Sequence, residues 1–169
     1  TAGVEACVLN SFESDLLRSS IKGLFNGEPT SQQRATRFEK LLTQYEQHAT
    51  THGVPPEKQA LVLLQLNRLL TPNPNAKLSL PERADVAELL LAHVIEPTKI
   101  WQGAHPTCNV TTIEHRLAVQ APDKLIQLVA DITVQGRYIR TDGRSVEAST
   151  IVGTFKPDQD SANNLVRQR

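Results

Sequence analysis

Methionine is absent from this 169-residue sequence, tryptophan occurs once, and cysteine occurs only at Cys7 and Cys108. A chain that begins at Thr1 without any methionine reads as a processed product or an excised piece of a longer protein. Two cysteines are too few for a disulfide framework, so the fold must rest on a hydrophobic core. No excess of either charge is present, Lys plus Arg matching Asp plus Glu at 18 each. With the balance kept in both halves, no basic stripe is left to follow a phosphate backbone, and nucleic acid is not an expected partner. No apolar run is long enough for a membrane span, and no signal peptide is expected. Nothing in the composition points to a compartment.

What is present is apolar residues at helical spacing. Phe12, Leu16, Leu17, Ile21, Leu24 and Phe25 predict a first helix over residues 11–25, closed by Gly27 and Pro29. A second is predicted over 31–51 on Phe38, Leu41, Leu42, Tyr45 and Ala49, with Gly53 as its stop. Pro55-Pro56 opens a third, its broad face made of Leu61, Leu64, Leu66, Leu69 and Leu70. The run Thr71-Pro72-Asn73-Pro74-Asn75 is a loop. Ser79 then caps a fourth helix that reaches Ile95, with Val86, Leu89, Leu90, His93 and Val94 recurring.

After Pro97 the character changes. A short helix beginning at residue 107 or 111 is predicted to turn Val110, Ile113 and Leu117 to the core. Another runs from Pro122 to Gly136, with Leu125, Ile126, Leu128, Val129 and Ile132 apolar. Residues 137–146 read as a hairpin on a two-residue Asp142-Gly143 turn, and the polar tail from 158 to 169 is expected to be mobile. The expected fold is predominantly α with a small β hairpin, an α+β chain in two parts: a helical region over 1–96, then residues 97–169.

Chemistry is concentrated in Trp101-Gln102-Gly103-Ala104-His105-Pro106-Thr107-Cys108. A cysteine where a loop enters a helix gains thiolate stabilisation from backbone N–H groups and the helix dipole. A glutamine six residues earlier can donate to an oxyanion. The Gln102-Gly103 pair followed by Cys108 resembles the papain-like cysteine peptidases and their calpain-like relatives. The resemblance covers roughly residues 97–135 and implies that the second part of the chain is the start of a papain-like N-terminal lobe. It implies Cys108 as the nucleophile, Gln102 in the oxyanion hole, and a protein or peptide substrate. The family's aromatic residue after the cysteine is here Asn109. Its histidine and Asn or Asp partner come later than this chain reaches, so a missing segment or a second chain would supply the base. His115, seven residues beyond Cys108 on one helix, stands ~10 Å up the axis, too far for proton transfer. His105 precedes the cysteine by three residues, which is not the family arrangement.

The other reading of the same residues is a non-catalytic helical interaction module, an adaptor or effector domain, with Cys108 a small buried hydrophobe. Cys7 is expected to be structural and unbridged, and His93 a satisfied core or rim histidine. His48 and His52, four apart, read as a solvated helix end rather than a metal pair. Asp158, Asp160, Asn163 and Asn164 lack calcium-loop spacing. No cofactor or metal is expected. The sequon at Asn109-Val110-Thr111 is a common chance match.

Overall fold

A computed structural model describes residues 2–27, 29–100, 108–140 and 142–147. Among them are six α-helices and a two-stranded antiparallel sheet: α1 (Ala2–Leu24), α2 (Pro29–Thr51), α3 (Pro56–Leu70), α4 (Leu80–Ile95), α5 (Cys108–Gln120), α6 (Pro122–Ala130), β1 (Arg137–Ile139) and β2 (Ser145–Glu147). The chain is predominantly α with a small hairpin, as its periodicity requires. The helices start and stop where the punctuation lies. Pro56 opens α3, Gly53 closes α2 at φ +62°, and Glu82 accepts from both the N–H and the hydroxyl of Ser79, at 2.8 and 2.6 Å, as α4 begins. The last turn after α6 widens to π geometry over Asp131–Gln135, and Gly136 ends it at φ +75°. A Cβ at Gly136 would meet the Lys77 side chain at 2.5 Å, so both conformation and space select glycine there.

One hydrophobic cluster holds these helices together. It takes Leu17 and Ile21 from α1, Phe38, Leu42 and Tyr45 from α2, Leu63, Leu66 and Leu69 from α3, and Ala84, Ala87 and Leu91 from α4. The same cluster takes Ala118 from α5 and Leu125, Ile126 and Ala130 from α6. Residues on both sides of position 96 therefore share one core. Each large side chain buried this way contributes about 1.5–3 kcal/mol of transfer free energy.

Polar contacts set how the helices are rotated. Asn10 Nδ2 donates to Gln59 Oε1 at 3.1 Å, and Asn67 Nδ2 donates to the carbonyl and carboxylate of Glu13 at 3.0 and 2.7 Å, joining α1 to α3. The buried Arg83 donates through Nη1 to the carbonyls of Leu69 and Thr71, at 2.8 and 2.9 Å, occupying acceptors that the end of α3 leaves free. Arg37 Nη2 pairs with Glu88 at 3.0 Å between α2 and α4, and that hydrogen bond holds the Arg37 guanidinium above its ordinary pKa.

Four expectations need correction. α1 begins nine residues earlier than the predicted start at Ser11, because Ala2–Leu24 forms one helix. Val110 and Ile113 are exposed; α5 instead turns the buried Ala118 and the half-buried Leu117 and Glu114 inward. Cys7 is free and exposed on α1, not a core residue. The hairpin loop is wider than a two-residue turn: Arg140 N–H donates to Arg144 at 2.8 Å, Gly143 N–H donates back to Arg140 at 2.9 Å, and Gly143 lies at φ +81°. That is the pattern of a longer turn closed by a left-handed glycine. The tail beyond residue 147 lies outside the described residues.

Candidate functional site

The predicted nucleophile opens α5. Cys108 is its first residue, so of the two possible starts the helix takes the one that puts the cysteine in the first turn. Gln102, His105 and the rest of 101–107 lie outside the described residues. His115 is exposed on the same helix, seven residues on. His93, on α4, is already engaged, its Nδ1 2.9 Å from Glu114 Oε1, which makes it the satisfied rim histidine expected from its position. The structure thus places Cys108 at a helix terminus.

Two concave places carry more geometry. The first is a groove between α1 and α3 of about 230 Å³, lined by Leu9, Glu13, Glu57, Ala60, Leu61 and Leu64. Phe12 and Leu16 continue the α1 face that begins at Leu9, three and seven residues on. These are large apolar side chains left in solvent: Leu9 is 49% exposed, Phe12 61%, Leu16 43%, Leu61 42% and Leu64 39%. The sequence reading placed Phe12, Leu16, Leu61 and Leu64 on core stripes. It missed the groove because apolar type alone does not say which side of a helix is covered.

The second place is a cleft of about 430 Å³ at one end of the bundle, where α2 ends and α3 begins. Tyr45, His48, His52 and Gly53 line it from α2 and its exit, Val54, Pro55 and Lys58 from the entry to α3, Val94 and Pro97 from the end of α4, and Ala118, Val119, Gln120 and Pro122 from the α5–α6 junction. The imidazoles of His48 and His52 stack with centroids 4.0 Å apart. His52 Nδ1 lies 2.8 Å from the His48 carbonyl, an acceptor only, so Nδ1 carries hydrogen and donates. Burial, then the neighbouring His52, holds His48 below the ordinary histidine range. Tyr45 is 2% exposed and its hydroxyl has no hydrogen-bond partner among the described residues. Burial first, then the Asp123 and Glu46 charges, pushes its phenol far above its ordinary pKa, so it remains a proton donor. The sequence signal for this cleft was Tyr45, His48 and His52 at i, i+3 and i+7 running into Gly53-Val54-Pro55-Pro56.

No group of three or more His, Cys, Asp or Glu among the described residues is placed to hold a metal ion. No helix among them is long and apolar enough to cross a membrane. No protein-family model matches the chain, and no curated protein or solved structure matches it significantly. Function has to be argued from the groove, the cleft and the cysteine.

Proposed function

We propose that this chain is a non-catalytic helical interaction module, and that its α1–α3 groove receives an amphipathic helix with basic flanks. The supporting observation is the strip formed by Leu9, Phe12 and Leu16 beside Leu61 and Leu64, exposed apolar side chains on two neighbouring helices. Scattered apolar residues need no explanation, but a strip bordering a groove is what a helix-in-groove partner covers. Glu57, in the groove lining, and Glu5, one turn before Leu9 on α1, are both exposed and make its border acidic. A partner with leucines at i, i+3, i+4 and i+7 and lysines alongside matches both the apolar strip and the acidic border.

The test is fluorescence anisotropy with a labelled Leu/Lys amphipathic helical peptide and a Leu/Glu peptide of the same pattern. The basic peptide is expected to bind and the acidic one to bind at least about tenfold more weakly. Phe12→Ser with Leu61→Ser is expected to abolish binding while leaving the melting curve in place, because both side chains are exposed. Equal binding of the two peptides, or binding indifferent to the double substitution, removes this reading. Concentration-dependent dimerisation lost in the same variant would assign the strip to a second copy of the chain instead.

A second reading is favoured by one observation, the start of α5 at Cys108. In it Cys108 attacks a carbonyl carbon, Gln102 holds the oxyanion, and the base comes from another segment or chain. Since Cys7 is free and exposed, the test uses Cys7→Ser protein and iodoacetamide at mildly acidic pH. Fast alkylation of Cys108 supports a depressed thiol pKa, and an inert thiol ends this reading.

A further inference from the structure

We infer that the partner helix lies antiparallel to α1 and α3, with its lysines gathered in its C-terminal turn beside Glu5 and Glu57. The inference rests on the helix-in-groove reading and adds to it the partner's direction and the place of its charge.

The two walls of the groove run the same way. Along α1 the partners on α2 fall in number, Arg18 pairing with Glu46 and Lys22 with Glu39, so those two helices are antiparallel. Toward α3 the partners rise, Asn10 donating to Gln59 and Glu13 accepting from Asn67, so α1 and α3 are parallel. Each wall also carries its residues in the same order. Glu5, Leu9 and Phe12 on α1 match Glu57, Leu61 and Leu64 on α3, at steps of four and three that keep to one helix face. Both acids belong to the first turn of their helix, so they stand at the same end of the strip. Val8, 64% exposed, widens the apolar part on the α1 side.

The two ends of the strip differ in charge. Glu5 and Glu57 are exposed at the first-turn end, and neither is ion-paired with a described residue. Lys58, beside Glu57, lines the cleft instead. At the far end the α3 face reaches Arg68, paired with Asp131, and the α1 face reaches the neutral Ser19. Glu13 points at Asn67, so Asp15, two residues on, points away from α3. A cation-bearing helix therefore gains most with its charge at the first-turn end. Lysines suit the last turn of a helix, where the backbone dipole is negative, and are disfavoured in the first. A partner that meets both conditions has its C-terminus beside the N-termini of α1 and α3. It is then antiparallel to both, and its dipole opposes the two parallel ones.

From Leu9 to Leu16 the strip is ~10 Å long, which a partner covers with leucines at i, i+3, i+4 and i+7. That pattern reads the same in both directions, so the placement of charge can be varied alone. Three end-capped peptides carry it: one with two lysines in the last turn, one with them in the first, and one with glutamines in their place. On the full chain at low salt, the last-turn peptide is expected to bind about fivefold more tightly than the first-turn peptide. It should bind about tenfold more tightly than the glutamine peptide, and fall to that peptide's level in Glu5→Gln/Glu57→Gln protein. Both positions are exposed, and a melting curve checks the fold. Direction is read separately, from a nitroxide on the free, exposed Cys7 in Cys108→Ser protein. Cys7 lies near the first-turn end, so the C-terminal residues of the bound last-turn peptide should broaden and its N-terminal ones stay sharp. Broadening of the N-terminal residues, or of the whole peptide evenly, overturns the proposal and leaves the groove reading standing. So does a last-turn peptide that binds no better than the other two, or one unaffected by Glu5→Gln/Glu57→Gln. Failure of all three peptides to bind, or binding indifferent to Phe12→Ser with Leu61→Ser, overturns the groove reading and this proposal with it.

Discussion

Arg83 is a buried cation whose partners among the described residues are carbonyls: Leu69 and Thr71 through Nη1, and Leu78 through Nε at 3.2 Å. Burial lowers its pKa, which means the fold bears a desolvation cost to keep the guanidinium where it is. Two effects then oppose one another in Arg83→Met. Relief of the desolvation favours the variant, while the carbonyls left without a donor each cost about 1–3 kcal/mol. The second is larger because more than one acceptor is stranded, so a net loss of about 2 kcal/mol is expected in urea denaturation. An unchanged midpoint would mean those carbonyls find water. His48 gives a second residue-scale expectation, in pH rather than denaturant. Its pKa is lowered from 6.5 in the folded chain, so the unfolded chain binds more protons across the window just below 6.5. Stability should therefore fall as the pH drops from neutral through that window and level off beneath the folded value. His48→Gln should flatten that part of the stability–pH curve; an unaltered slope would place the titration elsewhere.

The elements show how polar side chains choose among apolar faces. The stripe read for the first helix held both Leu16 and Leu17, which cannot face the same way. What decides is the set of hydrogen bonds from Asn10 to Gln59, from Asn67 to Glu13 and from Ser14 to Glu46, which turn Leu17 and Ile21 inward and leave Leu9, Phe12 and Leu16 out. The same logic rotates α5. Val110, Ile113 and Leu117 make a good stripe on paper, but Glu114 reaches His93 and the small Ala118 enters the core, so the helix sits one position round. Helix existence was legible, and so were the ends marked by proline, glycine or Ser79, because those residues act locally; the start of α1, which carries no such mark, was not. Rotation was not, because it depends on partners far away in sequence. The candidate site shared that fate: Cys108 at a helix start could be read, whereas the groove and the cleft arise from pairings between helices. The cap at α4 tests the legible kind of signal. Both donors of Ser79 hold the Glu82 carboxyl below the ordinary carboxylate range. Ser79→Ala should cost about 1 kcal/mol in urea denaturation at neutral pH. Its effect should shrink on acidification, since stability from a depressed carboxylate is lost as the pH falls from about 4.5 toward the folded pKa.

Whether the molecule has two parts is a question about cooperativity. The sequence suggested a helical region over 1–96 and a different one after it, on the change of character at Pro97. In the structure α6 packs on α3, and Leu125, Ile126 and Ala130 belong to the cluster that also holds Leu63, Leu66 and Leu69. Arg68 ties the same two segments with an ion pair to Asp131 at 2.8 Å. A part that shares its core with its neighbour cannot unfold first without exposing the neighbour's apolar surface, so one transition is expected. Ile126 is fully buried, and truncating it to alanine removes methylene contacts and leaves a cavity, at about 2–5 kcal/mol. Leu91→Ala, in the first part, belongs to the same size class. If the core is one unit, each substitution should move the whole denaturation curve, seen equally by far-ultraviolet circular dichroism and by hydrogen exchange in α2 and α6. Their effects should add, because α2 and α6 report the same global opening. If Ile126→Ala instead splits the curve, with α6 exchanging early while α1–α4 keep the original midpoint, then residues beyond 96 form a separate folding unit docked on the first.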